Sequence, residues 1–303
     1  MSDKCCCCCG LRVPSLVKKY LMAATGLVLV LFLLVHVIGN LQMFQDPSHI
    51  NTYAHLLHSL PAVCLWGFRA FILLCFVVHF GIAIKLKLDN LSARGPEGYL
   101  TNATRYAAWS ARAMILSGVI VLVFVIGHIV HFTILKEMGA DCLAQFKDAA
   151  TITAFGGHGI FGYLGTHGAA TGGEITYKVF DVYGMVYAGF ANPWIAAGYV
   201  IAMIALLSHL SHGAHSMFQS IGWRNETVRP ILRGVAIVYA VVVCGGLLAV
   251  PAAIQLDQYV DTGLFPTVHK DCDATCVPAV ECAPAVECVP AAECVPATPV
   301  NQK

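Results

Sequence analysis

Seven histidines lie inside or at the edge of apolar runs: His36, His79, His128, His131, His209, His212 and His215. Three of them recur at every third residue in SHLSHGAHSMF, 208–218. A ring nitrogen either carries a proton to donate or a lone pair to give, and hydrocarbon answers neither, so ionisable groups at membrane depth are functional candidates by default. Neutral imidazole is the commonest metal ligand and a common axial ligand of haem iron. It also relays protons, and a solitary one often only hydrogen-bonds a neighbouring helix. What separates these roles is whether the histidines form pairs.

The elements that carry them are membrane crossings. The 303-residue chain is 58% hydrophobic and 12% charged, too apolar for an ordinary soluble domain. Its net charge of +1 points to no nucleic-acid partner. Five stretches reach the roughly 20 apolar residues a bilayer requires: Tyr20 to Met43, Val63 to Ile84, Ala113 to Leu135, Pro193 to Ser216 and Gly234 to Ile254. The first is too long for the apolar core of a cleavable signal peptide, and no small-residue cleavage site follows it. Arg12, Lys18 and Lys19 precede the first span; Lys85, Lys87, Arg94, Arg105 and Arg112 follow the second; Arg224, Arg229 and Arg233 follow the fourth. The positive-inside rule makes these regions cytoplasmic, which places the N-terminus inside and the C-terminus outside. The expected architecture is an all-α membrane protein with a cytoplasmic segment over 1–19, a five-helix transmembrane domain over 20–255 and a low-complexity tail over 256–303.

Depth sorts the histidines. His36 lies 17 residues after Lys19, and His128 lies 16 after Arg112, both on spans running outward. The stretches TGLVLVLFLLVH (25–36) and SGVIVLVFVIGH (117–128) each place a glycine ten residues before the histidine. On spans running inward, His79 lies 13 residues past Trp66 and His209 lies 15 past Trp194. His212 and His215 fall at or beyond the inner boundary. The expectation is an outer pair, His36 with His128, and an inner pair, His79 with His209, separated by roughly 10 Å along the membrane normal at the 1.5 Å helical rise.

Two pairs of neutral imidazoles from four helices suggest a bundle of the first four spans around two bis-histidine haems b. Zinc prefers four ligands, and no thiolate or carboxylate sits at these depths to complete such a set. Gly39, Gly127 and Gly213 would let a flat macrocycle approach the backbone. Arg69 is a candidate to neutralise a haem propionate, with snorkelling to the interface as the alternative. His131, with His55 and His58, is placed near the outer level as a candidate quinone or propionate contact. His212 and His215 are placed where inner propionates would meet a partner. His49, His158, His167 and His269 read as exposed loop residues.

The outward loop 136–192 is glycine-rich over 155–173 and reads as irregular. Of fourteen cysteines, most lie in the run Cys5–Cys9 and in the tail from Cys272, where VPAVEC, APAVEC and VPAAEC repeat with cysteines at 276, 282, 288 and 294. Proline density excludes helix there, and a solvated extension fits better than a metal-binding one. Consecutive cysteines cannot all face one metal, and Cys64, Cys75 and Cys244 lie in or beside apolar runs as small hydrophobes.

SLVKKYLMAATG…H…GN (15–40), NTYAHLLHSL (51–60) and HLSHG (209–213) resemble the single-chain diheme cytochrome b subunit of succinate:quinone oxidoreductases. These are the b558-type, five-helix membrane anchors of succinate dehydrogenase and fumarate reductase. The resemblance covers about residues 12–135 and 181–255. It implies that His209 rather than His212 is the fourth ligand, and that a flavoprotein subunit and an iron–sulfur subunit dock on the cytoplasmic face. It further implies electron transport to a quinone, menaquinone above all, in a bacterial cytoplasmic membrane, with dicarboxylate chemistry on the partner subunit and room for a higher oligomer of the complex. Some relatives carry an acidic residue two positions before the fourth ligand, where this chain has Leu207, and the 136–192 loop and cysteine tail also depart from the pattern. Two other readings stand beside it: the cytochrome b subunit of another quinone-linked complex, of hydrogenase or formate dehydrogenase type, and a transporter with a histidine proton relay.

Overall fold

The computed structural model describes residues 13–94, 113–134, 146, 150–155, 174–223, 225–260 and 262–265. In chain order the elements are α1 (Ser15–Asn40), a 3₁₀ turn (Leu41–Phe44), α2 (Pro47–Ser59), α3 (Ala62–Arg94) and α4 (Met114–Ile129), which runs into a π-helical turn (Val130–Ile134). Then come β1 (Ala150–Phe155), β2 (Glu174–Val179), α5 (Val182–Ala191), α6 (Pro193–Ile221) and α7 (Val228–Tyr259). Five of the helices, α1, α3, α4, α6 and α7, are long and apolar enough to cross a membrane. The chain is a multi-pass membrane protein by that measure. Leu31, Val123 and Ile204 stand exposed on the helix surfaces, as lipid-facing side chains do.

Helix ends follow local chemistry. Asp46 caps α2, accepting from the Ser48 amide at 2.9 Å, with Pro47 in the first turn. The hydrogen bonds from Ser48 hold the Asp46 carboxyl below the usual carboxylate range. Asn192 caps α6 by accepting from the Trp194 amide at 2.9 Å, with Pro193 at the first position. Gly222 ends α6 at φ +87°, a left-handed conformation suited to glycine. The spans outrun their apolar cores. α3 continues to Arg94 on a polar face where Asp89 pairs with Lys85 at 3.1 Å and with Lys18 of α1.

α1 packs against α3 and α6, α4 packs against α6, and α7 packs most extensively on α6 with a smaller contact to α1. The first four crossings therefore form a bundle in which α1 and α4 stand diagonally opposed, as do α3 and α6; neither diagonal is among the closely packed helix pairs of the described residues. α7 buttresses one side. Ala240, Val243 and Cys244 of α7 are buried against Val37 of α1 and Met203, Leu206 and Leu210 of α6. Gly246 is needed at this crossing: a Cβ there would lie 2.6 Å from Val37 Cγ2. The Tyr239 hydroxyl donates to the Val30 carbonyl at 2.5 Å, tying the same two helices.

The 136–192 loop is not wholly irregular, which corrects both that expectation and the purely helical one. β1 and β2 form a two-stranded antiparallel hairpin, with Ala150 opposite Val179 and Phe155 opposite Glu174. Its glycine-rich centre, with His158 and His167, lies outside the described residues, as do Arg12, Arg105, Arg112, Arg224, His269, the Cys5–Cys9 run and the tail from Cys272. β2 leads into α5, an apolar helix too short to span. With α2 and the ends of α1 and α7 it builds a cap over one end of the bundle, around buried Met43, Ile50, Tyr183, Tyr187, Phe190 and Ile254. Buried Asn51 is the fastener: its Nδ2 donates to Asp181 at 3.0 Å, and its Oδ1 accepts from the Val182 and Tyr183 amides at 2.8 and 3.1 Å. Burial, with Tyr187, Asp257 and Asp181 nearby, raises the Tyr183 phenol above its usual range, so it stays protonated.

Asn51→Ala removes the side-chain acceptor of the Val182 and Tyr183 amides and one of the two donors to Asp181 Oδ1, which keeps the Gly184 amide, in this buried cap. It is expected to destabilise the folded protein by about 2–3 kcal/mol, read as a lowered Tm in detergent, whereas Thr52→Ala at an exposed position of the same helix should leave Tm unchanged.

Candidate functional site

Each membrane-depth pair expected from the sequence is brought together across a diagonal of the bundle. His36 of α1 and His128 of α4 lie with ring centres 5.9 Å apart and planes 88° apart. His79 of α3 and His209 of α6 lie 6.5 Å apart, with planes at 64°. The first pair lies toward the capped end and the second toward the opposite end. Gly26, which faces His79, is ten residues before His36 on α1, and the His36 ring leans back one turn onto Phe32, so the two pairs stand at separate levels of the bundle. Trp66 and Trp194 are exposed at 61% and 84%.

The inner pair is seated by matching dipeptides. A Cβ on Gly26 would lie 3.3 Å from His79 Cε1, and one on Gly118 would lie 3.4 Å from His209 Cε1. The preceding residues hold the rings: Thr25 Oγ1 is 3.2 Å from His79 Nδ1, and Ser117 Oγ is 3.3 Å from His209 Nδ1. The glycine echo in the sequence is therefore a ring seat as well as a depth mark. Thr25 and Ser117 carried no sequence signal beyond standing beside those glycines.

The outer pair is held differently. His128 Nδ1 meets the Tyr199 hydroxyl of α6 at 3.0 Å, while His36 stacks on Phe32 with centres 5.4 Å apart. Phe124 and Phe132 flank His128. Tyr199 was not foreseen; a lone tyrosine in an apolar span has no pattern that marks it. Gly39 does not serve this site, because its open face is filled by the Tyr53 ring at 3.1 Å. Gly127 has open space, and Gly213 meets only Met114 Cε at 3.9 Å.

Of the secondary candidates, His131 shares neighbours with a pair, packing on the Phe132 and Tyr199 that also meet His128. Arg69 lies over the Trp66 ring at 4.9 Å, one turn back on its own helix. His131 lies in the π-helical turn against Phe132 and Tyr199, with its Nδ1 buried and without a hydrogen-bond partner among the described residues. His212 and His215 meet at 6.1 Å, but both rise from α6 and are not opposed across the bundle. His55 and His58 line a surface hollow with Lys178 and Phe180.

The pairs can be tested as a binding site. A first-row metal ion between two imidazoles lies about 2 Å from each nitrogen, setting the ring centres roughly 6 Å apart, and 5.9 and 6.5 Å bracket that figure. Among the described residues, no three or more His, Cys, Asp or Glu side chains gather as a ligand set. Two protein ligands per site suit a metal whose remaining ligands come with it, as the four porphyrin nitrogens do. The residues present fit haem. A scan against protein-family models, a search of curated proteins and a search of solved structures each return no match to this chain.

Proposed function

We propose that this chain is the membrane-anchor cytochrome b of a succinate:quinone oxidoreductase, holding one haem b between His36 and His128 and another between His79 and His209. One observation carries the reading: two histidine pairs at two depths, each bridging helices that do not otherwise pack closely. A proton relay would string donors and acceptors into a continuous file. Here the rings meet in twos, and each couple has the spacing an iron would impose. When bound, such haems supply one-electron transfer between a one-electron iron–sulfur donor or acceptor and a quinone.

The protein's own part is to orient and to insulate. Phe32, Phe124 and Phe132 keep the outer pair in an apolar surround, and the Thr25–Gly26 and Ser117–Gly118 seats fix the inner rings. The lysines at the uncapped end, Lys18, Lys19, Lys85 and Lys87, support its assignment to the cytoplasmic side, where an iron–sulfur subunit and a flavoprotein subunit would dock. The capped end then faces outward. The family assignment rests on the residue pattern over 15–40, 51–60 and 209–213.

Purified from membranes, the protein is expected to show a reduced b-type spectrum with two haems per chain, and a colourless preparation overturns the reading. His209→Ala should lose one haem and His36→Ala the other, while His212→Ala keeps both. Gly118→Val should displace the His209 ring and lower haem content to about one per chain, measured as the pyridine haemochrome. Copurification of a flavin-bearing, succinate-oxidising subunit distinguishes this anchor from those of hydrogenase or formate dehydrogenase type.

A further inference from the structure

The hydroxyls that seat the inner pair are already spent as donors. Thr25 Oγ1 donates to the Leu21 carbonyl at 2.7 Å, with the Met22 carbonyl at 3.2 Å, in the usual back-bond of a hydroxyl within a helix. Ser117 Oγ donates to the Met114 carbonyl at 3.1 Å. A hydroxyl has one proton, so toward His79 and His209 each oxygen can only accept. The proton in both contacts belongs to the ring: Nδ1–H of His79 donates to Thr25, and Nδ1–H of His209 donates to Ser117. That leaves Nε2, with its lone pair, as the nitrogen that would be available to a metal on both sides.

The outer pair lacks this arrangement. Tyr199 makes no other hydrogen bond among the described residues, so its phenol proton is free to point either way toward His128. No hydrogen bond to the His36 ring is present among the described residues. The two sites thus differ in what stands behind the ligands: two committed acceptors at one, one ambivalent phenol at the other.

We propose that Thr25 and Ser117 are positioning residues that lock His79 and His209 as Nδ1–H donors and thereby hold down the reduction potential of the haem between them. The inference rests on the haem reading given above. An acceptor behind a ligating imidazole raises its basicity and fixes its orientation, and the more basic ligand favours ferric over ferrous iron. Losing one such contact costs about tenfold in metal affinity; felt by the ferric state alone, tenfold corresponds to about 59 mV for a one-electron couple.

The test is an optical redox titration of the haem-loaded protein, comparing wild type with Thr25→Val and Ser117→Ala. One of the two midpoint potentials should move upward by about that amount in each variant while the other stays fixed. Thr25→Ser, which keeps the hydroxyl, should restore the wild-type value. Unchanged potentials with both haems bound overturn the inference, as does an equal movement of both, which would signal general loosening of the bundle. A wild-type protein without haem overturns the reading beneath it instead. Should Thr25→Val fail to take up haem, Ser117→Ala carries the same test on the opposite ligand.

Discussion

The structure depends on how an imidazole is satisfied where water is absent. Backbone amides in a crossing helix solve that problem within their own segment, but a histidine ring presents two nitrogens that the helix cannot serve. In the inner pair one nitrogen of each ring is met by a hydroxyl from the helix next to it, α1 for His79 and α4 for His209. The second ring of the pair stands across the bundle, 6.5 Å away centre to centre. Diagonal placement follows: adjacent helices supply the hydroxyl and the glycine that admit the ring, and the opposed helix supplies the second ring.

Seen this way, the four crossings are two copies of one device. α1 contributes a hydroxyl, a glycine and, ten residues on, a histidine; α4 repeats the series with Ser117, Gly118 and His128. α3 and α6 each contribute the ring that enters the seat on the neighbouring helix. α7 stands outside this scheme, and its buried small residues serve to pack α1 and α6 together. The cap is likewise separate. It is fastened by Asn51 and Asp181, and by the Tyr187 hydroxyl donating to Asp257 at 3.0 Å, with none of the paired histidines among these contacts.

Much of this was legible in the chain itself. Five apolar runs and their flanking cations defined the crossings, because the bilayer imposes a length that few other constraints imitate. Counting from Lys19 and Arg112 set His36 opposite His128, since the helical rise converts sequence distance into height. Counting from Trp66 and Trp194 matched His79 with His209, whose rings meet at 6.5 Å. The hairpin escaped notice because ATITAF and EITYKV are short and far apart in sequence, and their pairing is a long-range event. Thr25, Ser117 and Tyr199 escaped for a different reason. A hydroxyl in an apolar helix is common, and only the arrival of a ring from another helix gives it a task.

The diagonal placement also orders the birth of the molecule. Crossings enter a membrane in sequence, so His36 can find His128 once the third has been laid down, while His79 waits for His209 on the fourth. The two rings beneath the cap are thus both present before the other pair has its second, and Tyr199 of α6 joins His128 only afterwards. A chain halted after α4 would carry one pair of rings and one ring without its opposite.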